Sequence, residues 1–300
     1  MLHGRMLRYL DEVARAGSIR KAADRLNVAA SAINRQILSL EAELDTPLFE
    51  RMPGGLRLTA SGEVLVAHVR ETLREHGRAL GRMAALKGLQ QGEVVIATMG
   101  GLAATQLGPA LGTFRAAHPR VRLAVRVLNK DGIVGALLAG EADLGLAFNL
   151  PSHPRLFRAA SFEHAIGAVM APDHPLASRL SLRFTDCLAH PLLLAERGMS
   201  LREATDQLVP PNVDLSPALE TNSLELMRRM ARASPCVTFM CAFEVEEDLR
   251  AGRLAFVPIQ GSPARQSVSL VHRAAGPLDP VVSAVAAYLG TALAPRPDES

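Results

Sequence analysis

The chain has 300 residues, enough for two or three domains with cores of their own. With 48% hydrophobic and 21% charged residues it has the balance of a soluble globular protein, and no low-complexity tract interrupts it. The formal net charge is +3, and the excess sits early: residues 1–62 hold 9 basic and 7 acidic side chains, residues 63–92 hold 5 and 3, and the remaining 208 hold 19 and 20. That asymmetry favours a nucleic-acid module at the N-terminus. Three cysteines, Cys187, Cys236 and Cys241, are too few and odd in number for a disulfide framework, and fit a reducing compartment. The opening stretch MLHGRMLRYLDEVARAGS breaks its apolar positions with Arg, Asp and Glu, so it reads as neither a signal peptide nor a membrane span, and no later stretch is long and uncharged enough. A cytoplasmic protein with no membrane partner is expected.

Residues 4–16 form a helix with Leu7, Leu10, Val13 and Ala14 on one face and Gly17 as its stop. Ser18 is the N-cap of a second helix carrying Ile19, Ala22, Ala23 and Leu26, whose alanine pair lets another helix cross closely; Asn27 ends it. The third helix buries Ile33, Ile37, Leu40 and Leu44 and turns Ala30, Ser31, Asn34, Arg35 and Gln36 outward. Short hydrogen-bonding side chains beside an arginine suit a helix lying in a DNA major groove. Asn34 and Ser31 are expected at base edges, with Ala29 and Ala30 beside them. Arg35 is expected on guanine or phosphate, and Ser18, Arg20 and Lys21 on phosphate. Next, Leu48-Phe49 and Leu56-Arg57-Leu58 flank Pro53-Gly54-Gly55, a small hairpin with Arg51 and Arg57. Those arginines either reach phosphate or the minor groove, or belong to an ordinary solvated hairpin.

These residues resemble the winged helix-turn-helix of LysR-type transcriptional regulators. The likeness covers residues 7–62 and is carried by Gly17-Ser18, Ala22-Ala23, Leu26, Ile33-Asn34-Arg35-Gln36-Ile37, Leu40-Glu41, Leu44, Pro47-Leu48-Phe49, Arg51, Leu58-Thr59 and Gly62. Two departures stand out. Asp45 occupies the place of a usual glycine after the third helix, and Ala29-Ala30 with Asn34 replace a usual Gln-Pro and Ser, which bears on base preference.

Thr59 caps a long helix in which Val66, Val69, Leu73, His76, Leu80, Met83 and Lys87 alternate three and four apart. The stripe either packs on its own domain or, being without an obvious neighbour to cover it, dimerises through Val66, Val69, Leu73, Leu80 and Met83. Gly77 and Gly81 each cost roughly 1 kcal/mol against Ala, so the helix should be weak or bent there, ending at Gly88 before a hinge at Leu89–Gly92.

From Glu93 strands and helices alternate. Strands are expected at 94–97, 121–127, 144–148, 166–170, 191–194, 236–240, 254–258 and 268–272. Helices are expected at 103–117, 133–139, 200–208, 223–233, 243–250 and 280–293, and PRPDES reads as a frayed tail. The alternation argues for α/β lobes with largely parallel sheets. The family resemblance, looser here and resting on landmarks such as Gly140-Glu141-Ala142-Asp143-Leu144, implies a two-lobed periplasmic-binding-protein-like sensor. The chain is thus read as multidomain: a winged helix-turn-helix (1–62), a linker and dimerisation helix with its hinge (63–92), and an α/β effector domain (93–295). Lobe I comprises 93–161 and 266–295, and lobe II 162–265.

Ligands of α/β sheets bind beyond the carboxyl ends of strands. That places Thr98, Met99, Gly100 and Gly101 after the first strand, Asn129 and Lys130 after the second, and Phe148 after the third, facing Glu196, Ser200 and Thr221 of the other lobe. Lys130 stands where the family commonly has a small hydroxyl residue. A cation there either favours an anionic effector, such as a small carboxylate, or points into solvent. The cysteines sit in apolar runs or at a strand end and read as core. Cys-x-x-Cys, helical His-x-x-x-His, Gly-x-Ser-x-Gly and a P-loop are all missing, so no catalytic, metal or cofactor site is expected. The expected protein is a ligand-responsive regulator that binds an imperfect inverted repeat of double-stranded DNA as a homodimer or homotetramer, with RNA polymerase as a further partner. A ligand-independent DNA-binding regulator and a solute-binding transport protein are the competing readings.

Overall fold

The computed structural model describes residues 4–86, 92–211, 213–261, 264–274, 276 and 278–294. The chain divides into two compact units. One runs to Gly92 and takes in the short pieces Ala139–Glu141 and Pro277–Val281; the other holds the rest.

The first unit contains α1 (Arg5–Ala16), α2 (Ile19–Leu26), α3 (Ala30–Glu43), β1 (Phe49–Met52), β2 (Gly55–Leu58) and α4 (Ala60–Leu86). Tyr9, Leu10, Val13, Ala22, Ala23, Ile33, Ile37, Leu48 and Val69 form its core. Gly17 closes α1 at φ 61°, a left-handed conformation that costs glycine nothing. Its carbonyl accepts a 2.8 Å bond from Leu56 N–H, and a Cβ on Gly55 would lie 2.5 Å from that same oxygen. The hairpin is thereby seated on the end of α1. Ser18 Oγ accepts from Lys21 N–H at 3.4 Å, and Asn27 ends α2 at φ 53°.

The expected burial of Leu44 does not hold. α3 ends at Glu43, so Leu44 is its C-cap and is 45% exposed. Asp45 follows at φ 46°, so the chain adopts the left-handed turn of the usual glycine with an aspartate in place, a residue that tolerates it. Glu41 then ties α3 to the hairpin, its Oε1 accepting from Leu48 N–H (2.7 Å) and Phe49 N–H (3.1 Å). Thr59 Oγ1 accepts from Gly62 N–H at 3.0 Å, the expected cap of α4. The helix stays unbroken through Gly77 and Gly81, where a weak point was expected. Lys87, the helix end at Gly88 and the hinge residues up to Gln91 lie outside the described residues, as does the tail from residue 295.

The second unit opens with β3 (Gly92–Thr98) and a composite helix. That helix is α5 (Gly100–Leu102), a π-helical turn (Ala103–Leu107) and α6 (Gly108–Ala117). Then come β4 (Val121–Val127), α7 (Lys130–Ala139), β5 (Leu144–Phe148), β6 (Leu156–Met170), α8 (Phe184–Cys187), β7 (Leu192–Ala195) and α9 (Ser200–Asp206). β8 (Leu219–Thr221), α10 (Leu224–Ala233), β9 (Val237–Cys241), a 3-10 turn (Ala242–Val245) and α11 (Glu246–Arg250) follow. β10 (Ala255–Pro258), β11 (Arg265–Arg273) and α12 (Pro280–Ala292) complete the chain. One nine-stranded sheet runs β4-β3-β5-β11-β6-β9-β7-β8, with β10 on β6.

β3–β5, β7–β8 and β7–β9 are parallel, but every ladder through the middle is antiparallel: β5–β11, β11–β6, β6–β9 and β6–β10. The expectation of largely parallel sheets is corrected accordingly. Two long strands that pass between the halves must run against the βαβ strands they meet. β6 begins at Leu156, ten residues before its expected start, because its first half alternates exposed and half-buried residues and lacks a continuous apolar run. β8, only three residues long, was not anticipated.

Candidate functional site

On the first unit, α3 meets the core through Ile33 and Ile37, which leaves the opposite face free. Ala29, Ala30, Ser31 and Arg35 are exposed there, and Asn34 is half-buried. Arg20 and Lys21, in the first turn of α2, are exposed; the half-buried Ser18 already spends its oxygen on the α2 cap, and its hydroxyl hydrogen is left to donate. Arg51 is exposed near the hairpin tip, whereas Arg57 is held by Glu50 at 2.7 Å.

The expected dimer stripe on α4 divides in two. Val66 and Val69 are each 1% exposed, and Leu73 packs against the same core as Val69. Their burial within a single chain corrects the reading that nothing covers the stripe, because α1 packs against the first half of α4. Leu80 and Met83, further along, are exposed.

In the second unit, a cavity of about 600 Å3 opens where β3, β4 and β5 end opposite α9 and α10. Met99, Gly100, Gly101, Asn129, Lys130, Phe148 and Ser200 line it. The other expected contacts do not. Thr98 is fully buried, Glu196 is exposed, and Thr221 Oγ1 accepts from Ser223 N–H at 3.1 Å. Asn129 Oδ1 accepts from Gly132 N–H at 2.9 Å, capping α7. Lys130 is 3.4 Å from Glu203, a carboxylate on α9, so it is neither a bare cation in the cavity nor free in solvent.

The polar groups of the inner wall escaped the sequence reading. Glu244 and Gln266 are buried, with Arg228 and Met240 beside them in the lining. Glu244 Oε2 accepts from Cys241 N–H at 2.9 Å, while Oε1 has no hydrogen-bond partner. Gln266 Oε1 takes the Cys241 thiol at 3.4 Å, while Nε2 is unpartnered. Ser200 Oγ is likewise buried and unpartnered. Burial pushes the Glu244 carboxyl up to about 7, against a smaller lowering by the Cys241 N–H bond and the Arg228 guanidinium. Arg228 is itself held by Glu225 and donates to the Glu244 backbone carbonyl at 3.1 Å. A signal for Gln266 did exist: it shares strand parity with Val268 and Leu270, so it is an amide on the buried face. Among the described residues no group of three or more metal-ligating side chains gathers. All three cysteines are buried and unpaired, and burial raises the thiols of Cys187 and Cys241.

Two family models match this architecture. The bacterial regulatory helix-turn-helix of the lysR family matches residues 5–63, and the LysR substrate binding domain matches residues 87–294. The chain belongs to the LysR family. This LysR regulator is a ligand-responsive, DNA-binding transcriptional regulator and not an enzyme. It is 30% identical to the HTH-type transcriptional regulator CbbR of Rhodospirillum rubrum, over 97% of this chain and 96% of that one. A full-length OxyR variant from Pseudomonas aeruginosa shares its fold with a TM-score of 0.74 at 20% identity, covering 96% of this chain and 93% of the other. Full-length CbnR, a structure in complex with its target DNA, aligns with a TM-score of 0.62 at 24% identity, covering 96% and 99%.

Proposed function

We propose that this LysR regulator acts in the cytoplasm as a homodimer or homotetramer, placing two copies of α3 in successive major grooves of an inverted repeat. Roughly 34–36 Å between half-sites is the spacing such dimers need. Ser31 and Asn34 read base edges, with Ala29 and Ala30 close to the same bases, and Arg35 contacts guanine or phosphate. Ser18, Arg20, Lys21 and Arg51 hold the backbone. The observation that carries this reading is the division of labour on α3: Ile33 and Ile37 supply its packing, so Ser31 and Arg35 stand exposed without a structural duty. Residues 1–62 are the reader, 63–92 the linker and 93–295 the sensor, and RNA polymerase is the partner that the bound dimer meets.

Arg35→Ala should weaken binding to the preferred site by about 1–3 kcal/mol and relax preference at one base if it reads a base. Fluorescence anisotropy against DNA selected from a random pool measures both. An equal loss on all sequences would move Arg35 to the phosphate class, and no loss would remove it from the interface.

The cavity supports an effector of small organic size. The carboxylate effector raised by Lys130 has weaker support, because Glu203 already pairs with that lysine and an incoming carboxylate must displace it.

A further inference from the structure

Three unpartnered polar atoms at the inner wall of the cavity belong to side chains no more than 3% exposed: Glu244 Oε1, Gln266 Nε2 and Ser200 Oγ. Leaving a buried donor or acceptor unsatisfied costs about 1–3 kcal/mol. Such atoms bordering a cavity are therefore poised for a ligand that completes them. Two of the three are fixed in role by a shared anchor. Cys241 donates its N–H to Glu244 Oε2 and its thiol to Gln266 Oε1, which leaves Oε1 of the glutamate and Nε2 of the glutamine as the unused atoms of two residues that line the cavity. One can only accept, as long as the carboxyl is ionised, and the other can only donate.

We infer that the effector of this regulator carries an uncharged head group with a hydrogen-bond donor and an acceptor side by side, as a primary carboxamide does, bound between Glu244 and Gln266. The inference rests on the cavity being the effector site. The head donates N–H to Glu244 Oε1 and accepts from Gln266 Nε2. Its apolar body lies against Met99, Phe148 and Met240. A carboxylate head brings a second negative charge against Glu244 and has no hydrogen to give it. Burial pushes the Glu244 carboxyl up to about 7, so its accept-only role holds above that pH, where the test is run.

The test uses the full-length protein and four probes in matched pairs, benzamide with benzoate and hexanamide with hexanoate, titrated at pH 8 by calorimetry and thermal shift. The amide of each pair should bind at least tenfold more tightly than its carboxylate. Glu244→Gln keeps an oxygen for the Cys241 N–H and presents an N–H2 to the cavity in place of Oε1. It should cut the amide-to-carboxylate ratio at least tenfold. Gln266→Glu, which removes the donor and keeps the shape, should weaken the amides and provides a second readout if Glu244→Gln folds poorly. Tighter carboxylate binding in the wild type, or a ratio that neither variant changes, overturns the head-group assignment and leaves the cavity as the effector site. Silence from all four probes at millimolar concentration overturns the assignment, and binding of unrelated small molecules blocked by Gly101→Trp would then still uphold the cavity.

Discussion

At the scale of single residues, the functional groups fall into those a sequence exposes and those it hides. The face of α3 proposed to meet DNA was legible, because Ser31, Asn34 and Arg35 fall between the apolar positions Ile33 and Ile37 or beside them. Glu244 and Gln266 were not. A buried carboxylate and amide that share an anchor at Cys241 have no joint sequence signature until the turn of Ala242–Val245 and the parity of β11 are known. The burial of the carboxylate has a measurable effect. The ordinary carboxyl value is 4.5 and the folded one about 7, so the folded state binds the proton more tightly. The stability this linkage supplies is full below 4.5 and is lost as pH rises through 7, on the order of 3 kcal/mol at about 1.4 kcal/mol per unit. Urea denaturation followed from pH 5 to pH 9 should show that decline in the second unit. Glu244→Gln should flatten it, and an unchanged slope in the variant would place the titrating group elsewhere.

At the scale of elements, the winged helix-turn-helix was readable almost throughout, since the ends of α1 and α2 and the start of α4 carry capping or turn residues: Gly17, Ser18, Asn27, Thr59. Leu44 misled because the apolar spacing runs on to the C-cap, where the helix has already ended and Asp45 next reverses the chain. The hairpin is fixed less by its own sequence than by two close approaches. One is Gly55 on Gly17; the other is Gly62 on Leu48, where an added Cβ would meet the carbonyl oxygen at 2.1 Å. Backbone cannot yield as a side-chain tip does. Gly62→Ala should therefore destabilise the first unit by about 1–3 kcal/mol, although alanine is the better helix former. Thermal melting of the full-length protein, read by a DNA-binding assay across temperature, gives the comparison. A variant as stable as the parent would mean that the start of α4 shifts freely.

At the scale of the molecule, the α4 stripe shows why one pattern supports two duties. Spacing alone identifies an apolar face without saying what covers it. The structure assigns Val66, Val69 and Leu73 to their own domain and leaves Leu80 and Met83 uncovered. If α4 dimerises, the contact lies in its second half. Leu80→Glu combined with Met83→Glu should then shift sedimentation toward the monomer while leaving the melting of the first unit near its parent value. Val69→Ala should do the opposite, lowering the melt by the 0.5–3 kcal/mol typical of a core truncation, roughly, and sparing assembly. Loss of assembly in Val69→Ala alone would reverse the division.

The sheet order has one more outcome. β11 lies between β5 and β6, although more than ninety residues separate it from either in the chain. The half of the sheet begun by β3 is therefore not sealed until almost the whole polypeptide has been made. A ribosome that stops anywhere before Arg265 releases a sheet with β5 unzipped along one side and α12 missing. Nonsense mutations late in the reading frame would leave an aggregation-prone stub in place of a shortened sensor. The same geometry means that a minimal sensing fragment has to be cut from the N-terminal side, since a cut from the C-terminal side that reaches back past Arg273 removes the strand that closes the sheet.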